Sequence, residues 1–344
     1  MPASNLLLSS SPHLFTKVTV RQIMLCVIIA LLPEAVYGVY LYGAPALYLV
    51  LTSIACSVVL EWLFRLITKQ PSHIGDLSAV VTGLLLALIL PPSTPLWMVI
   101  LGDVMAIVVA KEFFGGIGQN PFNPALIGRA FLLMSFPAAI TTWHKPFQGL
   151  VDATTTATPL NIIKQGGNLQ DVAASVGAPD IAGLYQQLFL GTRAGCIGES
   201  SIALILLGGI FLLVTGVIQW IIPVVMLAST ALFSWAFGMD PLFSLLSGGV
   251  VFGAFFMATD YVSSPITNKG KAIYAAGIGL IIALIRKFGA YPEGVTYAIL
   301  IMNMLSPYLD KLREKKYGYV AKKPAPAAAP AAAAQKPAAQ EAKK

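Results

Sequence analysis

Residues 151–160 read VDATTTATPL, with one aspartate and four threonines in ten positions and no lysine, histidine or cysteine. A threonine hydroxyl is a weak nucleophile unless a neighbouring group positions or deprotonates it. Asp152 is the acid at hand, and Thr154, Thr155, Thr156 and Thr158 are the candidate hydroxyls. The run Asp152, Thr155, Ala157, Thr158 places small residues beside the last threonine, leaving room for a bulky electrophile. That chemistry is attack of a threonine oxygen on phosphorus, leaving a phosphoester. The plainer alternative is a hydroxyl-rich turn, in which short polar side chains bond their own backbone.

Other residues carry charge or amide groups into apolar surroundings. In GQNPFNPALIGRAF, Asn120-Pro121 and Asn123-Pro124 are turn signals ahead of a helix, and Arg129 falls inside that helix. A charge there is costly and usually paired or functional. Asn120, Asn123 and Arg129 are therefore candidate binding groups; the rival reading is helix entry, with Arg129 snorkelling or paired with Glu112. Glu34, Glu61, Asp76, Asp103 and Asp260 lie in or at the ends of apolar runs. Glu61 and Arg65, four apart, can pair along one helix face. Asp103 has no basic neighbour before Lys111 and is the foremost ion-path candidate, with Glu34 and Asp260 beside it. Oxygen ligands suit sodium and carboxylates also carry protons, so the ion stays open. His13, His73 and His144 read as loop residues. Cys26, Cys56 and Cys196 lack CxxC spacing and read as small buried hydrophobes. No metal-ligand cluster and no nucleotide-binding glycine loop is present, so the chain is not expected to bind a metal or NAD itself.

The elements that must position these residues follow from composition. The 344 residues are 57% hydrophobic and 11% charged, against about 25% charged in soluble domains. Apolar runs near the ~20 residues needed to cross a bilayer recur along the chain. The expectation is an all-α polytopic membrane protein with about ten spanning helices, at 18–40, 44–67, 76–91, 96–114, 122–140, 200–218, 220–238, 246–261, 271–288 and 293–309. The first apolar run is long enough to span, so no cleavable signal is expected. The net charge of +7 reflects lysine and arginine at the ends and in short loops, and implies topology rather than nucleic acid. Lys17, Arg21, Arg65, Lys69, Lys111, Lys269, Lys271 and the basic run after the tenth helix share one side, which the positive-inside rule makes cytoplasmic. Arg286 and Lys287 break the pattern near the outer end of helix nine, which marks them for function.

The organisation is then a cytoplasmic segment 1–17, five helices over 18–140, an extracytoplasmic loop 141–199, five helices over 200–310, and a basic tail 311–344. The Ala/Pro/Lys composition of that tail predicts disorder. Ser78–Pro95 aligns with Gly248–Pro265 on a shift of 170, through Val80/Val250, Val81/Val251, Gly83/Gly253, Ser93/Ser263 and Pro95/Pro265. Five is odd, so a repeated five-helix unit must insert inverted, an arrangement that sets ligand and ion sites at the repeat interface. In the loop, IAGLYQQLFLG carries apolar residues at helical spacing and predicts a short helix lying on the membrane surface.

The Ser11-Pro12-His13 opening, RQIMLCVIIALLPEAVYGVY, GQNPFNPALIGRAFLLMSFP and VDATTTATPL occur in one order. Together they resemble the family of the D subunit of the Rnf ion-translocating ferredoxin:NAD oxidoreductase, of which the B subunit of the sodium-translocating NADH:quinone reductase is a paralogue. The resemblance covers roughly residues 9–315. It implies a ten-helix inner-membrane subunit with FMN held covalently on Thr158 by a flavin transferase, on the outer face. Asp152, Thr155, Ala157 and Thr158 match the family motif, while Thr156 stands where glycine is common. It further implies electron transfer among the other Rnf subunits coupled to Na+ or H+ movement, and a noncovalent flavin such as riboflavin. The alternatives are the quinone-reductase subunit and an inverted-repeat transporter without flavin.

Overall fold

The computed structural model describes residues 18–71, 74–144, 146–147, 155–191, 193–289, 291 and 293–312. His13, His73, Asp152 and the tail fall outside them. Helix α1 (Val20–Tyr42) starts from a capping box in which Thr19 Oγ accepts from the Gln22 amide and Gln22 returns the bond, satisfying two orphan amides. Helix α2 (Ala44–Ile67) follows a single-residue break at Gly43. Helix α3 (Ser78–Leu88) is only 11 residues, and α4 (Leu96–Asp103) runs straight into a π-helical turn, Val104–Val109. Helix α5 (Pro124–Ser135) has Asn123 as its cap and Pro124 in its first turn, where a missing N–H costs nothing.

A short α6 (Pro137–Ile140) leads to β1 (Trp143–His144), which pairs antiparallel with β2 (Thr155–Thr156), Trp143 opposite Thr156 and His144 opposite Thr155. The long connection continues through α7 (Pro159–Lys164), α8 (Leu169–Val176) and α9 (Ile181–Leu190). Then come α10 (Ile202–Val214), α11 (Ile221–Ala236), α12 (Pro241–Leu246) and α13 (Val250–Phe252), the last continued by a second π turn, Gly253–Met257. Helices α14 (Asn268–Phe288) and α15 (Val295–Leu309) close the bundle.

The chain is predominantly helical. Helices α1 and α2 are long and apolar enough to cross a membrane, and only 28% of each apolar window is buried. Their outward faces carry Val36, Tyr40, Leu51 and Val59 into the surroundings; a helix in a soluble core would bury them. Packing runs α2 against α3 and α4, α11 against α14, α14 against α15, α1 against α10, and α5 against α4 and its π turn. Small residues permit close approach. A Cβ on Gly83 would lie 2.7 Å from Ser57 Oγ, and one on Gly279 would overlap Ser229 Oγ. Membrane helices associate through such contacts because burying apolar surface gains little in lipid.

The periodicity of α9 is real, but its use differs from expectation. Leu184 and Leu188 are buried in a small second core with Val172, Ala173 and Phe243, while Ile181 and Phe189 stay exposed. The apolar stripe packs on α8 and α12 rather than on a membrane surface. The predicted fifth helix, 122–140, is broken at Phe136, whose φ and ψ of −133° and 56° leave the helical region just before Pro137.

Candidate functional site

Two ends of the bundle can be distinguished. The loop end carries residues 141–199, and the terminal end carries Val18 and Leu312. At the loop end, Thr158 is the N-cap of α7, and its Oγ accepts from the Asn161 amide at 3.2 Å. Thr158 is 5% exposed, whereas its neighbour Ala157 is exposed. Beside it lies a cavity of about 560 Å³ bordered by Ala157, Pro159, Ile162, Ser175, Gly177, Phe147 and Arg193. Thr155 lies in β2. The loop is fastened to the bundle by Tyr42 Oη, which donates to the Arg193 carbonyl at 3.2 Å, and by Tyr37 Oη, which donates to that of Leu190 at 3.2 Å.

Arg129 is paired, and not with Glu112. Its Nη2 lies 2.6 Å from Glu293 Oε2 and its Nη1 3.8 Å from Glu199 Oε1. It also lies 3.7 Å from the buried Cys196 thiol. Glu112 is taken by Arg65 at 3.2 Å. The reason is position along the axis: Arg129 stands six residues past the Asn123 cap, about 9 Å up the helix, within reach of the loop-end acids. Glu199 precedes α10 and Glu293 precedes α15, so one guanidinium joins three parts of the chain. Arg193 adds to this cluster, donating to the carbonyls of Leu246 and Glu199. Glu34 is also buried at this end, accepting from the Ser201 amide at 3.0 Å.

Asp103 is fully buried and sits between α2 and α3. Its Oδ1 lies 2.9 Å from both Ser53 Oγ and Ser57 Oγ, and Ser53 Oγ is also 2.8 Å from the Gly83 carbonyl. A hydroxyl has one proton to donate, so Ser53 serves either the carbonyl or the carboxylate. When it serves the carbonyl, its contact with Asp103 needs a proton on the acid or a cation between the oxygens. Oδ2 is buried without a hydrogen-bond partner by distance, with the Cys56 thiol beside it. The π turn begins at the next residue, and such turns collect at functional sites.

Towards the terminal end, Lys111 Nζ lies 2.6 Å from Glu61 Oε2 and 2.7 Å from Ser78 Oγ, which donates on to Asp76 at 2.6 Å. The Glu61–Arg65 pair is present at 4.0 Å, but the closer partners come from across the bundle. A cavity of about 120 Å³ adjoins this cluster, touched by Lys111, Ser78, Thr82, Asn120, Asn123, Thr259 and Asp260. Asn123 also spans the bundle, donating from Nδ2 to the Met257 carbonyl at 3.2 Å, and Asp260 accepts from Ser263 at 2.8 Å. So Asn120, Asn123 and Asp260 share one cavity, while Arg129, Glu34 and Thr158 belong to the loop end. Ser53, Ser57, Glu199, Glu293 and Arg193 were not singled out from sequence. The i, i+4 serines at 53 and 57 were the one available signal, since they must share a helix face. All three cysteines are free.

The model of the NQR2, RnfD, RnfE family matches residues 7–318. The chain belongs to this family. Among its relatives, the D subunit of the proton-translocating ferredoxin:NAD(+) oxidoreductase complex of Clostridium ljungdahlii is 47% identical, over 90% of this chain and 96% of its own. The D subunit of the Na(+)-translocating ferredoxin:NAD(+) oxidoreductase complex of Acetobacterium woodii is 44% identical, over 91% and 96%. That of the ion-translocating oxidoreductase complex of Vibrio cholerae is 38% identical, over 91% and 99%. Two family members of nearly equal similarity to this chain are thus named for different ions.

Proposed function

We propose that the chain is the D subunit of an Rnf-type ion-translocating ferredoxin:NAD oxidoreductase, carrying FMN as a phosphoester on Thr158 and inactive as an enzyme alone. The observation that carries the reading is the position of Thr158 in a chain of this family. It caps a helix at the edge of a 560 Å³ cavity, within the ~300–1,000 Å³ range of small-molecule sites. In the proposal Thr158 Oγ holds the phosphate, Ala157 leaves it space, and Asp152 and Thr155 complete the motif read by a flavin transferase. Arg193 and Phe147 border the ring's seat. A flavin there supplies one- and two-electron chemistry. Thr158 is nearly buried, so attachment takes place before α7 is seated or with the segment swung out.

The same proposal places ten helices in an inner bacterial membrane as two inverted five-helix sets, with both termini cytoplasmic and residues 141–199 outside. Asp103 with Ser53, Ser57 and the Gly83 carbonyl forms an oxygen cluster for Na+ or H+, with Glu34 and Asp260 as further stations. The 120 Å³ cavity is small for a tricyclic ring, and about four waters fill it at ~30 Å³ each. It therefore enters the proposal as a wet section of the ion path, with Asn120 and Asn123 on its wall, and no residues are assigned to riboflavin. The other Rnf subunits are the partners, and Arg129 is a structural brace rather than a flavin ligand.

Peptide mass spectrometry across residues 146–164 of the assembled protein tests the flavin. The flavin mass should sit on Thr158 and vanish in Thr158→Val, while Thr155→Val and Thr156→Val keep it. A bare Thr158 in mature complex refutes the attachment. The family also contains the quinone-reductase subunit, and assay of the whole complex with ferredoxin against quinone separates the two.

A further inference from the structure

Arg286 and Lys287 end α14 at the loop end, where the topology proposed above allows few cations. They border a second cavity, of about 570 Å³, walled also by Lys164, Asn168, Asp240, Phe243 and Ser244. Three cations thus face one carboxylate. That carboxylate is already engaged: Asp240 Oδ1 accepts from the Phe243 amide at 2.8 Å and Oδ2 from Tyr185 Oη at 2.9 Å. The cations are not neutralised by it. Lys287 is exposed and forms no ion pair among the described residues. Lys164 Nζ donates to the Tyr291 carbonyl at 2.6 Å and the Ile285 carbonyl at 3.5 Å, keeping one of its three protons free. Arg286 is 7% exposed, with its Nη groups on the Ser244 and Ser247 carbonyls and its Nε buried without a partner. Gly248, at φ +67°, makes room for it, since a Cβ there would stand 3.1 Å from Arg286 Nη2.

The cavity lies beside a ring of exposed aromatics. Phe288 packs edge-on to Phe237 with centroids 5.9 Å apart, and Phe288 and Trp235 are 71% and 70% exposed. Aromatic side chains mark the headgroup level of a bilayer. Below them, Leu232 on α11 and Leu284 on α14 present apolar surface outward. A cationic cavity at headgroup depth above an apolar track fits one chemistry. We propose that this cavity binds the phosphate of an anionic glycerophospholipid, with Lys164 and Lys287 as its movable cations, Arg286 as the fixed one, and the acyl chains along α11 and α14. The volume exceeds what phosphate alone needs and accommodates a glycerol headgroup. Because Leu160, Ile163 and Lys164 of α7 form one wall, the lipid also steadies the helix that Thr158 caps.

The inference rests on the membrane reading and not on the flavin, so Thr158→Val leaves it untouched. The experiment is lipid retention by the whole purified complex. Wild type, Lys287→Gln and Lys164→Gln/Lys287→Gln are exchanged into nanodiscs of phosphatidylcholine with or without phosphatidylglycerol, and tightly held lipid is counted by native mass spectrometry. Phosphatidylglycerol retention should weaken about fivefold per charge removed, or about 25-fold in the double variant. Lys287 makes no structural hydrogen bond among the described residues, so its single variant reports binding without a folding defect. Unchanged retention in the variants overturns the site. So does equal retention of phosphatidylcholine, or competition by millimolar inorganic phosphate that matches the lipid. Protection of Lys287 by another subunit in lipid-free complex would assign the cavity to a protein partner and also overturn it.

Discussion

The Arg129 brace makes an asymmetric demand on its partners. At an effective dielectric of about 20, unit charges 2.6 and 3.8 Å apart, as Arg129 is from Glu293 and Glu199, attract by about 6 and 4 kcal/mol before desolvation. Desolvation removes most of that gain, but deleting one member of a buried pair still costs about 3–5 kcal/mol, because the survivor is left uncompensated. Arg129→Gln leaves two glutamates without their shared cation and should incur that full cost. Glu293→Gln leaves Arg129 beside Glu199 and loses one charge-assisted hydrogen bond, about 1.5–3 kcal/mol. The double variant should cost at least ~1 kcal/mol less than the sum, as expected for directly interacting residues. Detergent-unfolding titrations of the two singles and the double measure all three values. If Glu293→Gln were as damaging as Arg129→Gln, or the two effects simply added, the brace would not be the interaction described.

Other perturbations have equally definite outcomes. Asp103→Asn should lower ion uptake by proteoliposomes containing the complex at least tenfold while flavin content stays intact, and Ser57→Ala should give a smaller loss in the same assay; unimpaired uptake in Asp103→Asn removes that cluster from the path. Gly83→Ala would set a Cβ 2.8 Å from the Ser53 carbonyl and should cost about 1–3 kcal/mol by overpacking, read as a lowered midpoint in the unfolding titration. Burial and the Asp240 carboxylate that accepts its hydrogen bond push Tyr185 from 10.0 up to about 12. The folded state holds that proton more tightly, so the contribution is complete below about pH 10 and is lost as pH rises through about 12. Protease sensitivity of the 159–191 region should climb over that window in the native protein and show a shallower climb in Tyr185→Phe.

Element type was readable wherever a single physical rule dominated. The apolar runs fixed the main helices to within a few residues, because lipid tolerates little else, and Asn-Pro at 123–124 gave the start of α5. The π turns after Asp103 and Phe252 left no trace, since they keep helical hydropathy while changing only the hydrogen-bond step. The site was legible in parts. Arg129 was marked as needing a partner, yet the partner lay 164 positions away in Glu293, beyond any local spacing rule. Thr158 came from the resemblance and its motif, whereas its burial beneath an α7 cap depends on how the whole loop folds. The stripe of α9 was correctly helical but could not say whether lipid or protein would cover it, because hydrophobicity names no partner.

The widened turn at Val104–Val109 has a consequence for how this segment can vary. Its Ala110 amide reaches back to the Met105 carbonyl at 3.0 Å, five residues rather than four, which is equivalent to one residue accommodated in excess. An ordinary α-helix advances about 100° per residue, so excising a single residue there would rotate everything downstream by roughly that angle. Lys111 would swing off Glu61 and Ser78, while Asp103 upstream would keep both of its serines. The bulge acts as a phase shifter: it lets an acid and a base on one continuous rod be aimed independently, and it makes chain length between them, more than side-chain identity, the quantity the sequence has to conserve.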